Sequence, residues 1–159
     1  MRIAIRTGLA CFVAVLGLAV VRGEEKESPV SGSFKGNGKE AKLMYATAVK
    51  GDEFSGKPTL VLIFTEKDHS KEKRAQSKAA FGDFGSALIV TVLHDGKIIG
   101  CEIAHSAHKK SGFSSVGSMQ MTDFKMADGK VKGTLATEGE VETFKEKWEV
   151  KLKFDVPNK

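Results

Sequence analysis

The chain is predicted to be a mainly β protein, an antiparallel β-sandwich or small barrel of about eight strands with one short surface helix. Apolar and polar residues alternate with a period of two over many segments, as in strands with one buried face. Turn signals recur between these segments at the spacing of sandwiches and barrels. Because both architectures share these features, the pattern leaves the choice between them open.

Strand patterns appear at Ser31–Lys35, Ala41–Val49, Thr59–Thr65, Ala87–His94, Lys97–His105, Met119–Ala127, Lys130–Thr137 and Trp148–Val156. Asp95-Gly96 and Asp128-Gly129 each separate two of them, and such dipeptides favour two-residue hairpin turns. The run TLVLIFT over Thr59–Thr65 is nearly all apolar, which indicates a strand buried on both faces. Residues 69–81 lack β-branched side chains and are rich in helix formers, so they predict the surface helix.

The first 23 residues have the order of a secretory signal peptide. Arg2 and Arg6 precede an apolar run that ends at Val21, and Gly23 offers a small residue for cleavage. The run, about 14 residues, is shorter than a bilayer-spanning helix requires. We therefore expect export, periplasmic or extracellular, with residues 24–29 as a flexible leader and 30–159 as a single β domain.

Removal of the signal changes the charge and the cysteine count. The full chain of 159 residues carries 25 basic and 20 acidic residues, a net charge of +5. Without the three signal arginines the net charge is +2, so a nucleic-acid partner loses its support and none is expected. Cys11 leaves with the signal, and Cys101 alone cannot form an intramolecular disulfide. No membrane span is expected after cleavage.

The hairpin around Asp95-Gly96 allows a register to be predicted. A two-residue turn places Cys101 opposite Val90, and Val92 opposite Ile99. This is a core position, where a free cysteine acts as a small hydrophobic residue. We therefore expect Cys101 to be structural.

Histidines provide a candidate metal site. His105 and His108 lie close together in the sequence, and imidazole ligands suit zinc or copper. His69 would join them only if Thr59–Thr65 runs antiparallel to Ala87–His94. Metal binding is therefore one alternative function, and otherwise no cofactor is expected.

Two basic clusters give the primary functional hypothesis. They are Lys71, Lys73 and Arg74 in the helical segment, and Lys109 and Lys110 in the loop after His108. If the helix and the loop share one rim of the fold, they form a positive mouth that attracts an anionic envelope component or small ligand. Phe113, in the same loop, is either a contact residue or a plug over the core. A non-enzymatic binding module is therefore the first hypothesis, and a cryptic hydrolase is the third.

Overall fold

The structure is a computed structural model that describes residues 28–110 and 112–158. The predicted signal peptide and residues 24–27 of the leader lie outside the described residues. Ser28 and Pro29, at the end of the leader, are bonded to the domain: the Asp155 N–H donates to the Pro29 carbonyl, and the Ser28 hydroxyl lies 3.1 Å from the Met44 carbonyl oxygen.

The described residues form eleven strands and one helix. The strands are β1 (Val30–Gly36), β2 (Lys39–Ala41), β3 (Tyr45–Lys50), β4 (Thr59–Thr65), β5 (Ala87–Leu93), β6 (Ile98–Ala104), β7 (Phe113–Ser114), β8 (Met119–Ala127), β9 (Lys130–Thr137), β10 (Val141–Thr143) and β11 (Glu146–Pro157). The helix is α1 (Ala75–Ala80), between β4 and β5.

Two antiparallel sheets confirm the mainly β class. The first sheet has the order β2-β1-β11-β9-β8, with β10 also paired to β11, and the second has the order β3-β4-β5-β6-β7. The inner faces of both sheets share one apolar core. The architecture is therefore a sandwich and not a closed barrel. The eight predicted strands correspond to the longer ones, and β2, β7 and β10 have only two or three residues each.

The core follows the alternation of the strands. On β11 the buried positions are Trp148, Val150, Leu152, Phe154 and Val156. The rings of Phe154 and Phe64, from opposite sheets, lie 5.4 Å apart, edge to face. β4 is buried on both faces because its even-numbered residues enter this core, while Val61 and Ile63 pack with Ala79 of α1. Its continuous apolar run therefore has a direct structural cause.

The helix is shorter than the prediction of 69–81. His69 is buried and accounts for the difference. Its ring nitrogens lie 2.9 Å from the Thr47 hydroxyl and 2.6 Å from the Thr65 hydroxyl. These contacts anchor the first half of the segment to the sheet as turns, and regular helix begins only at Ala75. Amino-acid composition indicates helix propensity, but it does not reveal the contacts of His69 with Thr47 and Thr65.

The predicted hairpin register holds in the middle of the strands. Cys101 is opposite Val90, but a bulge beside Thr91 places Val92 opposite Ile98 rather than Ile99. Cys101 is free and 2% exposed. Burial, with a smaller effect of Glu102, raises the pKa of its thiol to about 12. Its surroundings are those of an inert core thiol.

Candidate ligand-binding site

His105 and His108 meet at one end of the sandwich. Their ring centroids are 5.2 Å apart, and the two residues are 1% and 8% exposed. The ring of Phe34 packs edge-on against His105 at 5.0 Å. Gly36 of β1 permits this packing, since a Cβ there would lie 2.4 Å from His105 Cγ and 2.7 Å from His108 Nε2.

Backbone groups determine which nitrogens of the pair are protonated. The Ala107 N–H donates to His105 Nδ1 at 3.1 Å, so the proton of the neutral ring is on Nε2. His108 Nε2 lies 2.9 Å from the Lys147 carbonyl oxygen, so this nitrogen donates and Nδ1 keeps the lone pair. Among the described residues, neither His105 Nε2 nor His108 Nδ1 has a hydrogen-bond partner. The pair therefore presents one donor and one acceptor, not two lone pairs for a metal.

The pKa of His105 is lowered from its ordinary value. Burial is the largest cause and the neighbouring His108 is the second, against smaller opposing effects of the Glu66 carboxylate and the Phe34 backbone. His105 is therefore neutral at neutral pH.

His69 does not join this pair. β4 and β5 are antiparallel, as the three-histidine hypothesis required. However, Thr65 belongs to the odd-numbered positions of β4, on the outer side of the second sheet, and His69 is bonded there to Thr65 and Thr47. In the described part of the chain, no three His, Cys, Asp or Glu side chains are placed to hold one metal ion.

The hydroxyl bonds of His69 also bear on the hydrolase hypothesis. Thr65 donates its proton to the Lys67 carbonyl, so it accepts from His69 Nδ1, and the Thr47 hydroxyl donates to Nε2. This resembles a nucleophile beside a base. Both threonines are nevertheless buried within strands, where their bonds fix the chain after β4.

Glu146, which the sequence did not single out, organises the end of the sandwich beside the histidines. Its carboxylate accepts the N–H groups of Lys109 at 2.9 Å and Lys110 at 3.0 Å through Oε1, and the Asn37 amide at 2.6 Å through Oε2. The bond from Asn37 is the largest of the causes that lower the pKa of Glu146, followed by the Lys110 backbone. The carboxylate is thus ionised and holds the lysine loop in place.

Asn37 completes the network from the β1–β2 turn. Its backbone N–H donates to the Lys147 carbonyl, its Oδ1 accepts the Lys147 N–H, and its amide donates to the Ala107 carbonyl. Its φ of +47° suits asparagine, which tolerates the left-handed region. The sequence Gly36-Asn-Gly-Lys39 indicates this turn, but its link to Glu146, more than a hundred residues away, leaves no local signal.

Next to this network is an open cleft of about 590 Å³. Its lining residues are Asn37, Lys109, Lys110, Phe144, Lys145 and Glu146. Phe144 is 62% exposed, and Lys110 Nζ lies 6.0 Å from the centre of its ring. Phe144 and Lys145, the two central residues of the β10–β11 turn, have φ values of +54° and +67°. Positive φ at both central residues is what a two-residue type I′ hairpin turn requires, although Asn and Gly are the usual residues there.

Phe113 lies beneath the cleft. It is 8% exposed, and its ring packs 5.4 Å from His108 and 6.0 Å from Phe144. Of the two predicted roles, its position is that of the plug. Phe144, rather than Phe113, is the aromatic side chain at the surface.

The two basic clusters do not line one cavity. Lys71, Lys73 and Arg74 border shallow depressions at the start of α1, together with Glu72 and Asp68. Lys109 and Lys110 line the cleft at the end of the sandwich. The lysine loop and the start of α1 thus line different depressions.

No protein-family model, curated protein or solved structure matches the chain. Within the described residues, no helix has the length and apolar character needed to cross a membrane.

Proposed function

We propose that the chain is an exported, non-enzymatic binding module that holds a short anionic saccharide of the cell envelope in the end cleft. One observation carries the proposal: Lys109, Lys110 and Lys145 line a cleft whose backbone is fixed by a nearly buried carboxylate. A fixed backbone lowers the entropy lost on binding.

The charge of the cleft favours an anion. Glu146 is the acidic residue of the lining, and its oxygens already accept three hydrogen bonds from the protein. Its negative charge is therefore balanced by hydrogen bonds within the protein, while the lysine ammonium groups are exposed to a ligand. Three cations around a cleft attract a carboxylate, sulfate or phosphate group.

Phe144 favours a sugar as the carrier of that charge. Its exposed ring offers a flat apolar surface beside the lysines, and the C–H face of a pyranose can pack on such a ring. The volume of the cleft is within the usual range for small-ligand sites, about 300–1,000 Å³. The signal-like residues 1–23 support export, which would bring the module to anionic envelope polysaccharides.

The alternatives from the sequence remain proposals with less support. Zinc or copper binding would use His105 and His108, but His105 could supply Nε2 only by moving its proton to Nδ1 and losing the Ala107 bond. Stoichiometric zinc or copper in protein purified without a histidine tag, lost in His108→Ala, would favour metal binding. A hydrolase would need a reactive group exposed to substrate, and the Thr47–His69 contact is buried.

Isothermal titration calorimetry with trigalacturonate tests the proposal, with maltotriose as the uncharged control sugar. The variant K109Q/K110Q/K145Q should raise Kd at least about tenfold, and Phe144→Ala should raise it by a smaller factor. The matched control K71Q/K73Q/R74Q removes the same charge from the α1 side and should leave Kd within about twofold. The proposal is wrong if the wild type does not bind trigalacturonate, or if the two triple variants behave alike.

A further inference from the structure

The outer face of the first sheet is a second surface with a distinct chemistry. α1 packs on β4, β5 and β6 of the second sheet. The outward positions of β8, β9 and β11 are instead open to solvent, and six of them are lysines. Apart from Lys147, which lies toward the cleft end, we call them the lysine face: Lys125, Lys130, Lys132, Lys151 and Lys153, all exposed.

Positive charge is concentrated on the lysine face. The carboxylates on these strands beside the lysines are Asp123 and Asp155, which leaves a net charge of +3. That equals the net charge of all described residues, which have 20 basic and 17 acidic side chains. Glu40, Glu142 and Glu149 are opposite Lys35 or Lys147, toward the cleft end of the sheet.

The arrangement of the lysines leaves several without a counter-charge. Lys130 and Lys132 both pair with Asp155, at 3.4 Å and 2.9 Å. Within the described residues, Lys125, Lys151 and Lys153 have no carboxylate within ion-pair distance. Lys125 is also directly opposite Lys132 across the β8–β9 ladder. Like charges at directly opposed positions are destabilising, and a bound polyanion would relieve that repulsion.

The residues between the lysines favour a polysaccharide among the polyanions. Cross-strand neighbours give the rows Ser31–Lys153–Thr134 and Ser33–Lys151–Ala136. These short side chains make a flat surface, and their hydroxyls can hydrogen-bond to sugar hydroxyls. The outward positions of the lysine face carry no aromatic ring for base stacking and no large apolar group for insertion into lipid.

We propose that the lysine face binds an extended anionic polysaccharide, independently of the end cleft. A polysaccharide lying across β8, β9 and β11 would pass from the lysines of one strand to those of the next. Along a single strand, lysines on this face can recur at every second residue. Binding would depend strongly on salt, because each lysine engaged displaces condensed counterions.

Affinity for dextran sulfate, measured over a range of salt concentrations, tests this surface. The variant K125Q/K151Q/K153Q removes the lysines without carboxylate partners and should weaken binding at least about tenfold at low salt, with a salt slope smaller by about two to three. The control K57Q/K67Q/K97Q removes the same charge from exposed positions outside the lysine face and should change Kd less than about threefold.

Three results would overturn the proposal. They are an unchanged Kd in K125Q/K151Q/K153Q, an equal loss in the control variant, and tighter binding of the wild type to single-stranded DNA or anionic vesicles than to dextran sulfate. The cleft variant K109Q/K110Q/K145Q should keep most of its dextran sulfate affinity, while K125Q/K151Q/K153Q should bind trigalacturonate normally. These two variants and two ligands therefore distinguish a loss of binding at the lysine face from a loss of binding in the end cleft.

Discussion

The end cleft and the start of α1 each present three cationic side chains, but they are built differently. In the cleft, the Glu146 carboxylate holds the backbone of Lys109 and Lys110. At the start of α1, Arg74 occupies the N-cap position without a side-chain cap, and Glu72 forms its ion pair with Lys78. The cleft is thus preorganised, whereas the α1 cluster is an exposed, mixed-charge surface.

This difference shows that a basic cluster in the sequence does not by itself determine whether its side chains are held in a fixed geometry. Both clusters have the same local charge signature, and exposed charges of this kind contribute little unless their geometry is fixed. In the cleft, the fixed geometry comes from distant residues of β1 and β11. Apart from the controls, each variant described below changes residues either at the cleft end or at the start of α1.

The largest effect is expected from Gly36→Ala. Its Cβ would lie 2.4 Å and 2.5 Å from ring atoms of His105, which is 1% exposed and packs against Phe34. Overpacking of this kind destabilises by about 1–3 kcal/mol, and we expect thermal denaturation to show it. Gly100→Ala is the control, because its Cβ would approach the Thr91 side chain no closer than 3.1 Å and the Thr91 backbone nitrogen at 4.0 Å. Equal melting temperatures for the two variants would contradict the tight packing of the histidine pair.

Glu146→Gln should weaken anion binding in the cleft, although it removes a negative charge. A glutamine amide cannot accept all three bonds from Lys109, Lys110 and Asn37, so the loop loses its fixed geometry. We expect Kd for trigalacturonate to rise about tenfold and the melting temperature to fall. Glu142→Gln, on the exposed neighbouring strand, is the matched charge control. Tighter binding by Glu146→Gln would mean that charge alone, not preorganisation, governs the cleft.

A third effect is the dependence of stability on pH at the cleft end. The pKa of His105 is lowered from 6.5 in the fold, so the unfolded chain takes up the proton first as the pH falls. The free energy of unfolding should therefore decrease as the pH falls below about 6.5 and stop decreasing below the folded pKa, with a slope of at most about 1.4 kcal/mol per pH unit.

Urea denaturation at several pH values, compared between His105→Gln and the exposed His94→Gln, measures this contribution. The slope should shrink in His105→Gln and persist in His94→Gln. A slope unchanged in His105→Gln would show that this ring does not titrate as its burial implies.

The smallest effect is expected on the α1 side. The variant K71Q/K73Q/R74Q should change the free energy of unfolding by less than about 0.5 kcal/mol, because exposed surface charges rarely contribute more. Chemical denaturation measures it. A larger loss would mean that these side chains, like those of the cleft, are part of a structural network.

The sequence predicted the mainly β class and the longer strands well, because most strands alternate and the turns have clear signals, but it left the choice between sandwich and barrel open. The positions of Trp148 to Val156, the two-sided burial of β4 and the core position of Cys101 all follow from local pattern. The helix start was wrong because His69 is anchored to Thr47, more than twenty residues away.

The cleft was only partly predictable for the same reason. Lys109 and Lys110 stood out by charge, and His105 and His108 by spacing, but Glu146 and Phe144 have no motif. Their role depends on where β10 and β11 end relative to the β1–β2 turn. Sequence periodicity predicts which face a residue occupies, but not which loop meets it at the end of a sandwich.

On our proposal, the fixed cleft and not the basic start of α1 binds a short anionic saccharide. An ¹H–¹⁵N correlation spectrum recorded during titration with trigalacturonate distinguishes the two surfaces residue by residue. The predicted result is that the largest shifts fall on the amides of Lys109, Lys110, Phe144 and Lys145, with those of Lys71–Arg74 unchanged. Shifts centred on residues 71–74, or no shifts at the Lys109 and Lys110 amides, would contradict the claim.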